Sequence, residues 1–383
     1  MTPSTGLSRR WDQLNGPRRV AGVDLARGVA VIGMLAAHLL WLGDSVELGE
    51  PATWANIAAG RSSILFATLA GVSLGLLTGA ARPVTGRRLG IARRRIAVRA
   101  AILWVLGMLL IATGVPVYVI LPAYALLFLL ALPVLALPAG ALFGAAGAIA
   151  VVMPFVQVLL DDLPLWSTPP GEVLALVIGW QYPFPVWIAF VLTGLGLARL
   201  DVSRRTVQLG AVLVGGVLAT VGYGLNAVSG LGPADEWASY LGAVWTARPH
   251  SSGLLEVIGS GGLAVATIGA CVLACAPWGR VGGMSPIGWA ALPIRAVGAM
   301  PLSAYTAQLV AWAIIAAVVL GDPGYLQGFR DLDPFWPLTI ALVIAATAWA
   351  LLLGRGPLEA ATDTVTRVLI PDGPAAESTR PPR

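Results

Sequence analysis

The chain has 383 residues, 57% of them hydrophobic and 11% charged, against about 25% charged in a soluble domain. With a mean hydropathy of +0.82, that composition excludes a water-soluble enzyme and reads as a multi-pass membrane protein. All 24 basic residues are arginine, which removes lysine Schiff-base and lysine-base chemistry. The net charge of +5 lies beside apolar segments as a topology signal, so no nucleic-acid partner is expected.

Arg9, Arg10, Arg18 and Arg19 precede the first apolar run. That run is too long for a signal-peptide core and carries Asp24 and Arg27, so it reads as a retained span. Windows of about 20 apolar residues predict ten spans: 22–42, 61–80, 99–115, 117–137, 141–160, 183–199, 206–226, 254–276, 300–320 and 335–353. Pro116, Pro122 and Pro133 interrupt the fourth. The stretch "EVLALVIGWQY" (172–182) is too short to span and predicts a re-entrant or interfacial helix. "GVSLG" (71–75) and "GAAG" (144–147) predict close helix packing. Cys271 and Cys275 read as small packing residues, because two thiols make neither a tetrahedral metal site nor a convincing redox motif; no metal is expected. The fold class is therefore an all-α integral membrane protein, a bundle of about ten transmembrane helices. Residues 1–20 form a cytoplasmic N-terminal segment, 21–370 the membrane domain, and the Pro-rich 371–383 a disordered cytoplasmic tail.

A cytoplasmic N-terminus puts the arginines of 82–99, with Arg199, Arg204, Arg205, Arg280, Arg295, Arg355 and Arg367, on the inside. Only Arg61, Arg248 and Arg330 then fall outside, where Asp44, Glu47, Asp161, Asp162, Asp235, Glu236 and Asp331 collect. The expected orientation is N-in, C-in.

The first span carries the chemistry. Arg27 and His38 are eleven residues apart, three helical turns, on nearly one face and separated by roughly 16 Å. Asp24 sits three residues before Arg27 and can pair with it. One helix face thus presents an anion-binding arginine at its cytoplasmic end and a titratable base near the outer one. The plainer alternative is a snorkelling Arg27 paired with Asp24 and a solvated His38. Ionisable groups inside a span are by default functional.

Arg27, ten residues, then His38 resembles the opening signature of acyltransferase-3 membrane proteins, here within "VDLARGVAVIGMLAAH". The surrounding text is more similar to heparan-alpha-glucosaminide N-acetyltransferase-like and YeiB-like bacterial membrane proteins. The stretches that carry it are "GRSSILFATLAGVSLGLLTG" (60–79), "PHSSGLLEVIGSGGLAVATIGACVL" (249–273), "GAMPLSAYTAQL" (298–309) and "GRGPLE" (354–359). The resemblance implies transfer of an acyl group, usually acetyl, from cytoplasmic acetyl-CoA (acyl-CoA, a co-substrate) to a hydroxyl or amine across the bilayer. The acceptor would be a glycan or other envelope component, the location the plasma membrane, and the partners membrane lipid and that acceptor, with a homodimer permitted. In the eukaryotic heparan branch the catalytic histidine follows the first span; here "LGDSVELGEPATWANIAAG" contains none.

The residues fit that chemistry. The loop 82–99 supplies seven arginines, among them Arg93, Arg94 and Arg95, suited to acyl-CoA phosphates. The pantetheine arm enters past Arg27, with Ser303, Tyr305 and Gln308 as its contacts or, alternatively, as helix–helix hydrogen-bonding groups. His38 either deprotonates the acceptor or takes the acyl group first. Packed neighbours around His38 predict a neutral imidazole near pH 7. His250, in "ARPHSSGLLE", is the rival base or an acceptor-binding group, oriented by Glu256, or else a loop histidine in water. Arg61, Ser62 and Ser63 are candidate acceptor contacts; Tyr182, Trp187, Trp237 and Trp245 read as an aromatic belt or as sugar-stacking rings. A transporter or flippase for an envelope precursor is the alternative function.

Overall fold

The computed structural model describes residues 11, 14–16, 19–43, 46, 49–229, 238–277 and 284–371. Trp237, Asp235, Glu236, Arg280, Asp44, Glu47 and all but the first residue of the expected tail lie outside them. Among the described residues there are helices and turns and no strand. The helices are α1 (Ala21–Leu39), α2 (Arg61–Leu77), α3 (Gly86–Ile111), α4 (Leu121–Ala131), α5 (Ala139–Asp161), α6 (Pro169–Ile178), α7 (Phe184–Arg199) and α8 (Arg205–Ser229). They continue as α9 (Tyr240–Val244), α10 (Leu254–Cys275), α11 (Pro286–Ala290), α12 (Leu292–Ala299), α13 (Pro301–Val319), α14 (Leu326–Arg330), α15 (Phe335–Leu352) and α16 (Pro357–Leu369).

Each of the ten expected spans falls on a helix, but six are long and apolar enough to cross a bilayer: α1, α5, α8, α10, α13 and α15. A seventh is obtained if Pro51–Ala58 and α2, bent by 41° to each other, count as one. The others fall short for visible reasons. Prolines confine α4 to 11 residues before a 3-10 turn at Leu132–Val134. Helix α7 has 16 residues. The arginine run, expected as a loop, is instead the first half of the 26-residue α3, because arginine is a good helix former. The short helix α6 takes the place of the expected re-entrant or interfacial segment.

Helix α1 is the axis of the bundle, packed by α2, α10 and α12. Its crossings depend on glycine. A Cβ at Gly298 would fall 1.8 Å from the Asp24 carbonyl oxygen, and one at Gly28 2.1 Å from that of Ile294. Gly71 and Gly194 bring α2 and α7 together in the same way, so "GVSLG" is a packing motif. "GAAG" is not: nothing approaches within 4 Å of a Cβ at Gly144 or Gly147.

Two arginines expected to mark topology are internal struts. Arg295, 0% exposed, donates to the carbonyls of Gly288 and Leu14 and to Asn15 Oδ1, so part of the N-terminal segment is docked on the bundle. Arg199 gathers the Gly75, Ala80 and Leu135 carbonyls and Thr78 Oγ1 at the end of α7. A guanidinium carries five N–H donors, enough to close several frayed helix ends at once.

Candidate functional site

Helix α1 carries a charged cluster at its N-terminal end. Asp24, 2% exposed, is held by Arg27 at 2.9 Å and by Arg19 at 2.6 Å. Arg27 also donates to Ser73 Oγ on α2 at 2.8 Å, and Arg19 to the Ala299 carbonyl at 3.2 Å. The expected Asp24–Arg27 pair is therefore a triad, and Arg19 was its missed member. A carboxylate this buried needs more than one donor.

The triad forms one wall of a cavity of about 700 Å³. Arg99 on α3 with Arg355, Glu359 and Asp363 rim it, while Phe66, Leu121, Tyr124 and Tyr305 narrow its interior. The rim is organised by Asp363, which pairs with Arg99 (3.2 Å), Arg355 (2.8 Å) and Arg367 (3.1 Å). Burial alone would raise the Asp363 carboxyl, but the Arg355 hydrogen bond and the charges of Arg367, Arg355 and Arg99 outweigh it and hold the pKa below its ordinary value. Glu359 caps α13 by accepting from the Leu302 and Ser303 amides.

The expected donor-binding residues separate. Tyr305 lines the cavity and its hydroxyl accepts from the Ile120 amide. Ser303 is bonded to Glu359 and to the Leu358 amide, a junction rather than a free contact. Gln308 is buried, with neither amide atom partnered within the protein. Arg93 donates to the Leu132 and Pro133 carbonyls and Arg95 to that of Ile370; Arg94 reaches the Gly90 carbonyl at 3.4 Å. It is Arg19, Arg27, Arg99 and Arg355 that line the cavity.

A second cavity, of about 490 Å³, lies beyond the other end of α1. Asp161, Asp162, Trp180, Tyr240, Arg248 and His250 line it. Glu256, buried in the first turn of α10, accepts from the amides of His250 and Ser252 at 2.7 Å each and from Ser251 Oγ at 3.2 Å. It orients His250 through the backbone, holding His250 and Ser252 at φ +65° and +54°. The imidazole is exposed to the cavity yet lies deep among protein atoms. Desolvation, with Arg248 beside it, puts its pKa below the ordinary value.

His38 lies between the two cavities, in the last turn of α1. Its ring faces Trp312 of α13, centroids 6.4 Å apart, its Nδ1 is buried without a partner in the protein, and His250 is within electrostatic reach. Arg330, unforeseen here, donates to the His38 carbonyl at 2.9 Å and closes the C-terminus of α1. The two histidines of the chain thus converge from different elements.

Other candidates are structural. Arg61 donates to Tyr223 Oη and the Asn56 carbonyl, and Ser62 packs on Gly33 of α1. Tyr182 and Trp187 are not belt residues: they are 5% and 2% exposed, Tyr182 meets the His250 ring edge-on, and Trp187 packs edge-on against Tyr182. Trp245 alone of the described three is exposed. Cys271 and Cys275 are free thiols, and among the described residues no cluster of His, Cys, Asp and Glu has the makings of a metal site.

The family model for the heparan-alpha-glucosaminide N-acetyltransferase catalytic domain matches residues 19–223, more than half of the chain and the whole of α1 to α7. The chain belongs to this family. It is accordingly a helical membrane protein of an acetyltransferase family. No curated protein and no solved structure matches it. The family match covers the triad, Arg99 and His38, and stops before His250, Glu256 and α13.

Proposed function

We propose that the protein is a membrane-embedded acyltransferase that moves an acetyl group from cytoplasmic acetyl-CoA to an amine or hydroxyl of a glycan or other envelope component outside the plasma membrane. The observation that carries this reading is the arrangement along α1. An arginine-rimmed cavity opens at one end, a histidine-bearing cavity at the other, and His38 stands between them. Arginine bias across the sequence supports both termini in the cytoplasm, which puts the arginine cavity on the acetyl-CoA side.

In this account guanidinium groups at the rim bind the phosphates of the donor, and the narrow apolar interior takes its arm past Arg27. Roughly 16 Å along the helix axis separates Arg27 from His38, a distance suited to an extended arm. The acceptor enters through the His250 cavity. Its nitrogen or oxygen attacks the thioester carbonyl, a C–N or C–O bond forms, and the C–S bond breaks. An imidazole takes the acceptor's proton and returns it to the departing thiolate. Asp24 and Ser73 fix Arg27, and Glu256 fixes the His250 loop.

The test is incubation of purified protein in nanodiscs with labelled acetyl-CoA and envelope extract. The account expects label in a glycan fraction and stoichiometric free CoA thiol. Release of thiol without any labelled acceptor, or no thiol at all, contradicts it.

A further inference from the structure

The polar groups of α13 do more than join helices. Tyr305, Gln308 and Trp312 are spaced i, i+3 and i+7, so they share one helix face. Tyr305 lines the arginine-rimmed cavity, and Trp312 contacts the ring of His38. Gln308 is therefore the intermediate rung on a path of about 10 Å between them. Trp312 is held rigidly, stacked on Phe329 with centroids 5.0 Å apart and planes 8° from parallel. It is 1% exposed, and its Nε1–H, which can only donate, has no acceptor in the protein. Both amide atoms of Gln308 and Nδ1 of His38 share that condition. Buried polar atoms are normally satisfied. Here four unsatisfied ones gather between Tyr305 and His38: two N–H donors, one carbonyl acceptor and an imidazole nitrogen.

We propose that this face is the binding site for the amide- and thioester-bearing arm of the acyl donor. Gln308 pairs with an amide group of the arm, donating through Nε2 and accepting through Oε1. Trp312 Nε1–H donates to the thioester carbonyl oxygen. As the acceptor's lone pair adds to the carbonyl carbon, that oxygen takes up the C=O π electrons and becomes an oxyanion, stabilised by the indole N–H. When the intermediate collapses, the C=O re-forms and the C–S electrons leave with sulfur. Trp312 is thereby a catalytic residue and Gln308 a binding residue for the arm. This rests on the acyl-CoA reading given above.

Two measurements test it separately from that reading. In the first, acetyl-CoA labelled with carbon-13 at the thioester carbonyl is bound to the nanodisc-embedded protein and followed by isotope-edited infrared difference spectroscopy. The carbonyl band of bound donor should shift to lower frequency in the wild type and return towards its free position in Trp312→Phe, which keeps the ring stacked on Phe329. A band in the wild type at its free position overturns the assignment of Trp312 even if transfer proceeds. In the second, Trp312→Phe should lower kcat about 10²-fold with the KM for acetyl-CoA nearly unchanged, the loss typical of one oxyanion donor. Gln308→Met, close in volume, should raise that KM about tenfold and leave kcat nearly intact. Wild-type protein that transfers acetyl groups while both variants keep wild-type kcat and KM overturns this inference alone; wild-type protein that binds and transfers none overturns the acyl-CoA reading beneath it.

Discussion

Replacing Glu256 by Gln should release the loop that carries His250 without unfolding the bundle. The carboxylate accepts two backbone amides at 2.7 Å and one hydroxyl at 3.2 Å. A buried hydrogen bond contributes about 0.5–1.5 kcal/mol net, and an orphaned buried donor costs about 1–3 kcal/mol. Gln keeps one acceptor oxygen and turns an NH2 group toward the other donors, so a net loss of about 2–4 kcal/mol follows. Against this stands the left-handed backbone of His250 and Ser252, which costs about 1–2 kcal/mol per residue outside glycine. The remaining support no longer outweighs the strain, and local opening should approach balance. Hydrogen exchange by mass spectrometry in nanodiscs reads this directly. Protection across 250–253 should fall about 30- to 1000-fold, the equivalent of the calculated loss, while α10 beyond its first turn stays protected. Ser252→Gly in the same background should recover part of the protection, since glycine adopts that φ freely. Unchanged protection across the loop in Glu256→Gln would refute the reasoning.

Gly298→Val should abolish recovery of monodisperse protein, because its side chain would collide with the α1 backbone, whereas Gly144→Val should be neutral; both are read by size exclusion and thermal melting. Asp363→Asn should tighten acetyl-CoA binding several-fold and steepen its salt dependence in titration calorimetry if donor phosphates bind Arg99 and Arg355 as proposed, since Asp363 would then compete for them. Because the Asp363 pKa is depressed on folding, its pairing stabilises α16 above the ordinary carboxyl value and is lost as pH falls through the folded one; exchange protection of α16 should follow that order. Burial and the neighbouring Arg248 lower the His250 pKa, so the rate of transfer to the amine acceptor should fall off at a lower pH than an ordinary histidine would give. Finally, reporters at Arg383 and near Asp235 should read cytoplasm and exterior; a C-terminus outside would dismantle the two-sided site.

The helical class and the positions of the apolar segments were legible because hydropathy integrates over about 20 residues and needs no partner. The Asp24–Arg27 pair was legible for the same reason, as three residues on one helix fix its geometry. What escaped the sequence was everything set by long-range placement. Nothing local distinguishes Arg99, which rims the cavity, from Arg93 and Arg95, which brace carbonyls; helical phase in α3 separates it from Arg93, and one turn along the same face separates it from Arg95. Arg295 and Arg199 looked like topology signals, yet buried carbonyls required donors. Tyr182 and Trp187 looked like belt residues because hydropathy cannot tell lipid from core. Trp312 carried no signal beyond its apolarity, while its indole N–H has meaning only beside His38. His250 and Glu256 were recognisable as a pair, though the link runs through the backbone rather than the ring.

The proposed mechanism passes acetyl groups through the bundle by way of His38. Vesicles reconstituted with the protein, loaded with glucosamine and given labelled acetyl-CoA only outside, test it most directly, because neither compound crosses the bilayer unaided. The account predicts labelled N-acetylglucosamine inside the vesicles, free CoA thiol outside, and loss of both in His38→Ala, which should still bind acetyl-CoA; His250→Ala should mainly weaken use of the amine. Product formed only when both substrates share a compartment, or transfer that survives His38→Ala and vanishes in His250→Ala, would contradict it.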